Sequence, residues 1–166
     1  MSSNEDNSTE MVSEMLQKLS IANDAEKKEL LNEARPYLLA PDAPTKFKRQ
    51  LENENWSTLF GCLNSKDKQV LSSTCDILSR LFQFVDPSLI SEKYADCLEK
   101  SLNHSTSEVK EVTLVFLNRC LTNQDFAHET LLSNKKLVST LLYKFPRENF
   151  SFILVKNFFI GLPTCH

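Results

Sequence analysis

Five cysteines and three histidines are the residues of this chain best suited to chemistry, as thiolate nucleophiles or as soft metal ligands. Their spacing assembles neither. Cys62, Cys75, Cys97 and Cys120 stand 13, 22 and 23 residues apart, and Cys165 is followed only by His166. Structural zinc needs four converging ligands, usually with close pairs such as C-x₂₋₄-C, and no such pair occurs here with His104 or His128. Cys97 and Cys120 fall on apolar stripes, where cysteine packs as a small hydrophobe. A cysteine nucleophile also needs a base held beside it, and His128, in Phe126-Ala-His-Glu129, has no motif tying it to any cysteine. Acidic residues are plentiful, but on polar helix faces they read as solvated surface. Only two glycines, Gly61 and Gly161, are present, too few for the backbone cradles that hold nucleotide phosphates. The expectation is a protein that is not an enzyme, has no catalytic, metal or cofactor residues, and works by binding.

The elements that would position a binding surface are helical. The 166 residues, 41% hydrophobic and 25% charged, are enough for a domain with its own core. No segment alternates with period two for long enough to be a strand, so the fold class is all-α. Residues 1–9 read as a disordered tail, polar and without the apolar segment of a secretory signal. Met11, Met15, Leu16 and Leu19 then share a helical face. Asn23 with Glu26 predicts a capping box, opening a helix with Leu30, Leu31 and Ala34 inward. Pro36, Pro41 and Pro44 enclose a loop, and a short helix follows over 46–52. Trp56, Leu59, Phe60 and Leu63 make a short amphipathic helix, broken at Asn64-Ser-Lys-Asp67 with Ser65 as the cap. Val70, Leu71, Thr74, Ile77, Leu78, Leu81 and Phe82 follow at the spacing of a buried helix face. Asp86-Pro87 opens another helix, and Ser105-Thr-Ser-Glu108 reads as a capping box before a further one.

Charge and hydropathy narrow the partners. A pI near 5.7 without a basic run argues against nucleic acid. The longest apolar stretch, Phe150 to Leu162, is interrupted by Lys156 and is too short to span a membrane. Widely spaced cysteines without a disulfide pattern point to a reducing compartment, cytoplasmic and also nuclear.

The helices repeat. With an offset of 39, Leu63-Asn64 falls on Leu102-Asn103, Val70 on Val109, Thr74 on Thr113, Ile77 on Phe116, Leu78 on Leu117 and Arg80 on Arg119. Only Leu71, on Lys110, breaks the stripe. An offset of 42 carries Thr113 to Val155, Phe116 to Phe158, Leu117 to Phe159 and Cys120 to Leu162. A period near 40 suits HEAT or armadillo units, in which hairpins stack because none can bury its stripe alone. The alternative is a helical bundle whose leucine stripes match by chance.

Leu59-Phe-Gly-Cys-Leu-Asn64, Cys75-Asp-Ile-Leu-Ser-Arg-Leu-Phe82 with Asp86-Pro87, Leu102-Asn-His-Ser-Thr-Ser-Glu-Val109 and Thr130-Leu-Leu-Ser-Asn-Lys-Lys-Leu137 resemble the N-terminal repeats of the 26S proteasome non-ATPase regulatory subunit 5 family. The resemblance covers about Leu51 to Leu162 and implies an armadillo/HEAT-like α-solenoid, a right-handed superhelix of stacked helical hairpins. On that basis residues 10–166 form one solenoid domain of three to four repeats, the N-terminal part of a longer solenoid. The resemblance further implies an assembly chaperone of the proteasome base that grips the C-terminal domain of an ATPase subunit, with a monomer expected. A generic adaptor holding a peptide in its groove is the alternative. A compact bundle with a small-molecule pocket is a more distant one.

In armadillo repeats the helix position matched by Arg80 and Arg119 faces the concave groove. Asp76 and Val115 sit one turn earlier, and Asn157 matches Val115 in the next unit. Asp76, Arg80, Val115, Arg119 and Asn157 are therefore the candidate partner-binding residues, with arginine favoured at interface hot spots. The competing account is a solvated helix face whose arginine stems lie over neighbouring core. Val112, Leu114 and Val115 extend the apolar surface of the Val109–Leu121 helix, which predicts burial on both sides or an exposed patch for a partner.

Overall fold

The computed structural model describes residues 3–43, 45–47, 56–83, 87–122 and 135–144. Among them the chain is helical and contains no strand, as the absence of period-two patterning predicts. The helices are α1 (Ser3–Leu19), α2 (Asp24–Leu38), α3 (Ser57–Gly61) running on into a 3₁₀ turn (Cys62–Asn64), α4 (Lys68–Leu81), α5 (Pro87–Leu102), α6 (Ser107–Thr122) and α7 (Lys135–Lys144). The chain divides into two compact units, Met1–Val85 and Asp86–His166.

In the first unit α1 packs on α2 and α3, and α2 packs on α4. Val12, Met15, Leu16 and Leu19 turn the inner face of α1 into the core. That packed face explains why α1 starts at Ser3, where a disordered tail through residue 9 is expected: a pinned helix extends at one hydrogen bond per residue fixed. Ser8 is itself buried. Helix α2 opens on the expected capping box. The Asn23 amide donates to Glu26 Oε2 at 2.9 Å and the Glu26 amide to Asn23 Oδ1 at 3.0 Å. It then passes through Pro36, where the proline pattern predicts a loop. Pro36 deprives only the carbonyl of exposed Asn32, which water can serve, while fully buried Leu38 anchors the last turn and the Leu39 amide closes it on the Arg35 carbonyl at 2.9 Å. Of the helix expected at 46–52, Lys46 and Phe47 are helical and Phe47 is buried; 48–52 lie outside the described residues.

In the second unit α5 packs on α6 and on α7. Pro87 stands at the first helical position, as the Asp86-Pro87 pair predicts. The dihedrals of α5 leave helical values at Tyr94 (φ −123°, ψ 20°), so Ala95–Leu102 runs as a separate short segment. Lys136 on α7 reaches Glu99 on α5 at 2.9 Å, and the Glu99 carboxylate holds the Lys136 ammonium above its usual range.

Segments 58–74 and 97–113 share five hydrogen bonds at equivalent positions. Cys62 Sγ donates to the Thr58 carbonyl at 3.4 Å, and 39 residues on Ser101 Oγ donates to the Cys97 carbonyl at 2.8 Å. The Ser65 amide closes a turn on the Cys62 carbonyl (3.1 Å), and the His104 amide closes one on Ser101 (3.2 Å). The Asp67 amide donates to Ser65 Oγ at 3.1 Å, and the Thr106 amide to His104 Nδ1 at 3.0 Å. The Leu71 amide donates to Asp67, and the Lys110 amide to Thr106. Inside the second helix Thr74 Oγ1 donates to the Val70 carbonyl at 2.6 Å, as Thr113 Oγ1 does to Val109 at 2.8 Å. Both threonines are buried, and the back-bond is how a hydroxyl on an apolar stripe is satisfied. The expected caps move by one or two residues. Asp67, whose carboxylate accepts from the Gln69 and Val70 amides, caps α4, and Ser65 supports Asp67. Helix α6 begins at Ser107, one residue later than a box opened by Ser105 requires.

Candidate partner-binding surface

Helix α4 is set by its stripe. Val70, Thr74, Ile77, Leu78, Leu81 and Phe82 are buried as the spacing predicts, while Leu71, the position that fails to repeat, is half-buried. This rotation leaves Asp76 and Arg80, one turn apart, half-buried at the edge of the core. Asp76 is engaged within the chain: Arg35 Nη2 of α2 donates to Asp76 Oδ2 at 2.5 Å, with both side chains a little under half exposed. Arg80 Nη1 meets Gln83 Oε1 at 3.4 Å. The first unit therefore offers an Arg35–Asp76 pair followed by a guanidinium lying along the helix.

Helix α6 repeats the burial pattern and changes the chemistry outside it. Val109, Thr113, Phe116 and Leu117 are buried, and Val112 and Leu114 are half-buried. Val115 is 65% exposed, so the helix is not buried all round, and Arg119 one turn on is also exposed. An exposed valine beside an arginine offers an apolar contact next to a charged one, and of the two the arginine is the type enriched at contact surfaces. Asn157, the remaining candidate, lies outside the described residues, as does the apolar stretch 150–162. Arg35 is the residue that sequence patterning misses; it stands 41 positions from Asp76, beyond any local spacing rule.

Two of the described thiols are held in the protonated form by burial. Burial pushes Cys62 and Cys97 above the ordinary thiol value, and nearby Lys27 and Lys100 respectively offset only part of that. Cys75 is buried as well. Among the described residues no three His, Cys, Asp or Glu side chains converge as a metal site, and no helix is long and apolar enough to cross a membrane. His104 Nδ1 is taken up by the Thr106 amide.

The described residues thus form helices that bury an apolar stripe and carry charged and apolar side chains outside it. The chain belongs to the proteasome non-ATPase 26S subunit family, whose sequence profile matches residues 6–152. The 26S proteasome non-ATPase regulatory subunit 5 of Mus musculus is 30% identical over 93 residues, covering 56% of this chain and 18% of the mouse protein. The matched segment is thus less than a fifth of that relative's length. No solved structure matches the chain.

Proposed function

We propose that this chain is a protein-binding assembly chaperone of the 26S proteasome regulatory-particle base, which binds the C-terminal domain of a proteasomal ATPase subunit. The observation that carries this reading is the family match across 6–152, nearly the whole chain. The scaffold of this reading is an armadillo/HEAT-like α-solenoid, which the hydrogen bonds repeated at 39-residue spacing support. The protein acts as a monomer in the cytoplasm and nucleus, without catalytic or metal chemistry of its own, and Arg80, Val115 and Arg119 contribute contacts.

The test is retention of purified C-terminal domains of each proteasomal ATPase subunit on the immobilised chain. One domain should be retained, and Arg119→Glu should weaken it about tenfold, as for a hot-spot arginine. Arg80→Glu should do likewise with its melting temperature checked, because Arg80 is half-buried. Retention of no ATPase domain, by this chain or by a longer form carrying it, overturns the reading. Capture of extended peptides in place of those domains favours the adaptor alternative.

A further inference from the structure

The corner between α1 and α2 holds an open groove of about 440 Å³. Ile21, Ala22 and Leu30 supply its apolar lining, and Glu26, Glu29 and Glu33 its acidic rim. The corner backbone is fixed, because the Ile21 and Ala22 amides both donate to the Lys18 carbonyl, at 3.2 and 3.1 Å. That rigid turn holds the Ile21 side chain 88% exposed, while Leu30 beside it is half-buried. Glu26, Glu29, Leu30 and Glu33 follow i, i+3, i+4, i+7 along α2, on the flank next to the face that buries Leu31, Ala34 and Leu38. That flank of α2 therefore sets one apolar side chain, Leu30, beside a row of carboxylates over two turns.

The charges are not balanced locally. Lys18, the groove's cation, sits 3.4 Å from Glu14, and Glu26 is occupied in the Asn23 cap. The Glu29 and Glu33 carboxylates have no ion pair or hydrogen bond among the described residues. An occupant that fits must bring apolar side chains to Ile21 and Leu30 and cations to Glu29 and Glu33. A second copy related by two-fold symmetry would set this same acidic rim against itself, and the chain as a whole carries a formal charge of −3.

We propose that this groove docks a basic amphipathic helix of a partner protein. The partner lays leucine-type anchors over Ile21 and Leu30 and places lysine or arginine at helical spacing along Glu29 and Glu33, the helix-in-groove mode of recognition. This site is separate from the Arg80 and Arg119 positions, so it can fail without touching the ATPase-binding proposal, and the reverse holds.

The experiment uses the full chain and a fluorescein-labelled synthetic helix with leucines on one face and lysines flanking them, read by anisotropy. Controls carry the same composition with the leucines scattered, or glutamates in place of the lysines. The one-faced basic peptide should bind, and about 0.5 M salt should weaken it by screening. Ile21→Ser and the pair Glu29→Lys, Glu33→Lys should each weaken it about tenfold, the size of a hot-spot loss. These side chains are exposed or sit at the rim, so circular dichroism and melting should be unchanged. Equal binding of the scattered peptide, binding unaffected by the substitutions, or no binding overturns the proposal. So does a dimer in sedimentation that Ile21→Ser dissociates, because the groove is then covered by a second copy.

Discussion

The segment 58–81 of the first unit and its counterpart 97–120 of the second use different residues to make equivalent hydrogen bonds. Cys62 and Ser101 both reach back to the carbonyl four residues earlier; Ser65 and His104 both receive the amide two residues later. Outside the stripe the two part company. Asp76 is tied to Arg35 of α2, whereas its counterpart Val115 stands 65% exposed. Interior and turn positions are constrained by what the hairpin must satisfy, namely a buried hydroxyl, an orphan amide and an apolar stripe. Outward positions are free of that constraint, and there the repeats diverge in what they can touch.

The comparison breaks most visibly in the core. Ile77 and Phe116 are the same position, 0% and 1% exposed. Phe116→Ala should cost about 3–5 kcal/mol and Ile77→Ala about 2–5 kcal/mol, through lost transfer energy and the cavity left behind. Hydrogen exchange should show each loss concentrated in its own unit, over α6 and α5 for the first and over α4 and α2 for the second. Equal loss of protection across both units in each variant would show a single cooperative block in place of two.

The turns give a medium-sized effect. Asp67 accepts two amide hydrogens at the start of α4, so Asp67→Ala should cost about 1 kcal/mol in a urea melt. His104 and Ser65 serve equivalent amides, so His104→Ser should be close to neutral while His104→Ala should cost about 0.5–1.5 kcal/mol for the lost bond. Equal destabilisation by His104→Ser and His104→Ala would end the claim that the two turns are interchangeable.

Much of this was legible in the residues because it rests on periodicity. The stripe of α4, its partner on α6, the Asn23–Glu26 box and the Pro87 start all follow from rules that operate within one or two turns. What escaped was set by neighbours distant in sequence or by loop chemistry. Nothing near Asp76 announces Arg35, and Pro36 reads as a breaker because its tolerance depends on Leu38 being anchored in the core. The caps at Asp67 and the residue before Ser107 differ from those the pattern predicts because Ser65 and Asp67 rank alike as caps, and serine at 105 outranks the threonine at 106. The 39-residue alignment, carried through the loop, places Ser65 on His104 and Asp67 on Thr106, the two pairs that make the equivalent turn bonds. The candidate site was legible as positions on helices; which of those side chains were already engaged by the chain itself was not.

The smallest effect separates the hairpins by pH. Cys62 and Ser101 hold the same place and make the same bond, but only the thiol titrates. Burial raises the Cys62 value in the folded state, with Asp24 adding to it and Lys27 opposing it. Below the ordinary thiol value, about 8.5, the thiol is neutral folded or unfolded and its stabilisation is complete. Above it the unfolded thiol ionises while the buried one keeps its proton, so stability falls as pH rises toward the folded value, by at most about 1.4 kcal/mol per pH unit. Urea midpoints at pH 7.5 and 9.5 should therefore diverge more for the native chain than for Cys62→Ser, in which the first hairpin carries the hydroxyl that the second uses at Ser101. The Lys136–Glu99 pair and Cys97 lower stability in the same alkaline direction but are present in both proteins, so the difference between the two pH dependences isolates Cys62. An unchanged alkaline slope in Cys62→Ser would mean that the thiol is not held neutral by the fold, and that the cysteine is no more than an alternative to the serine at that position.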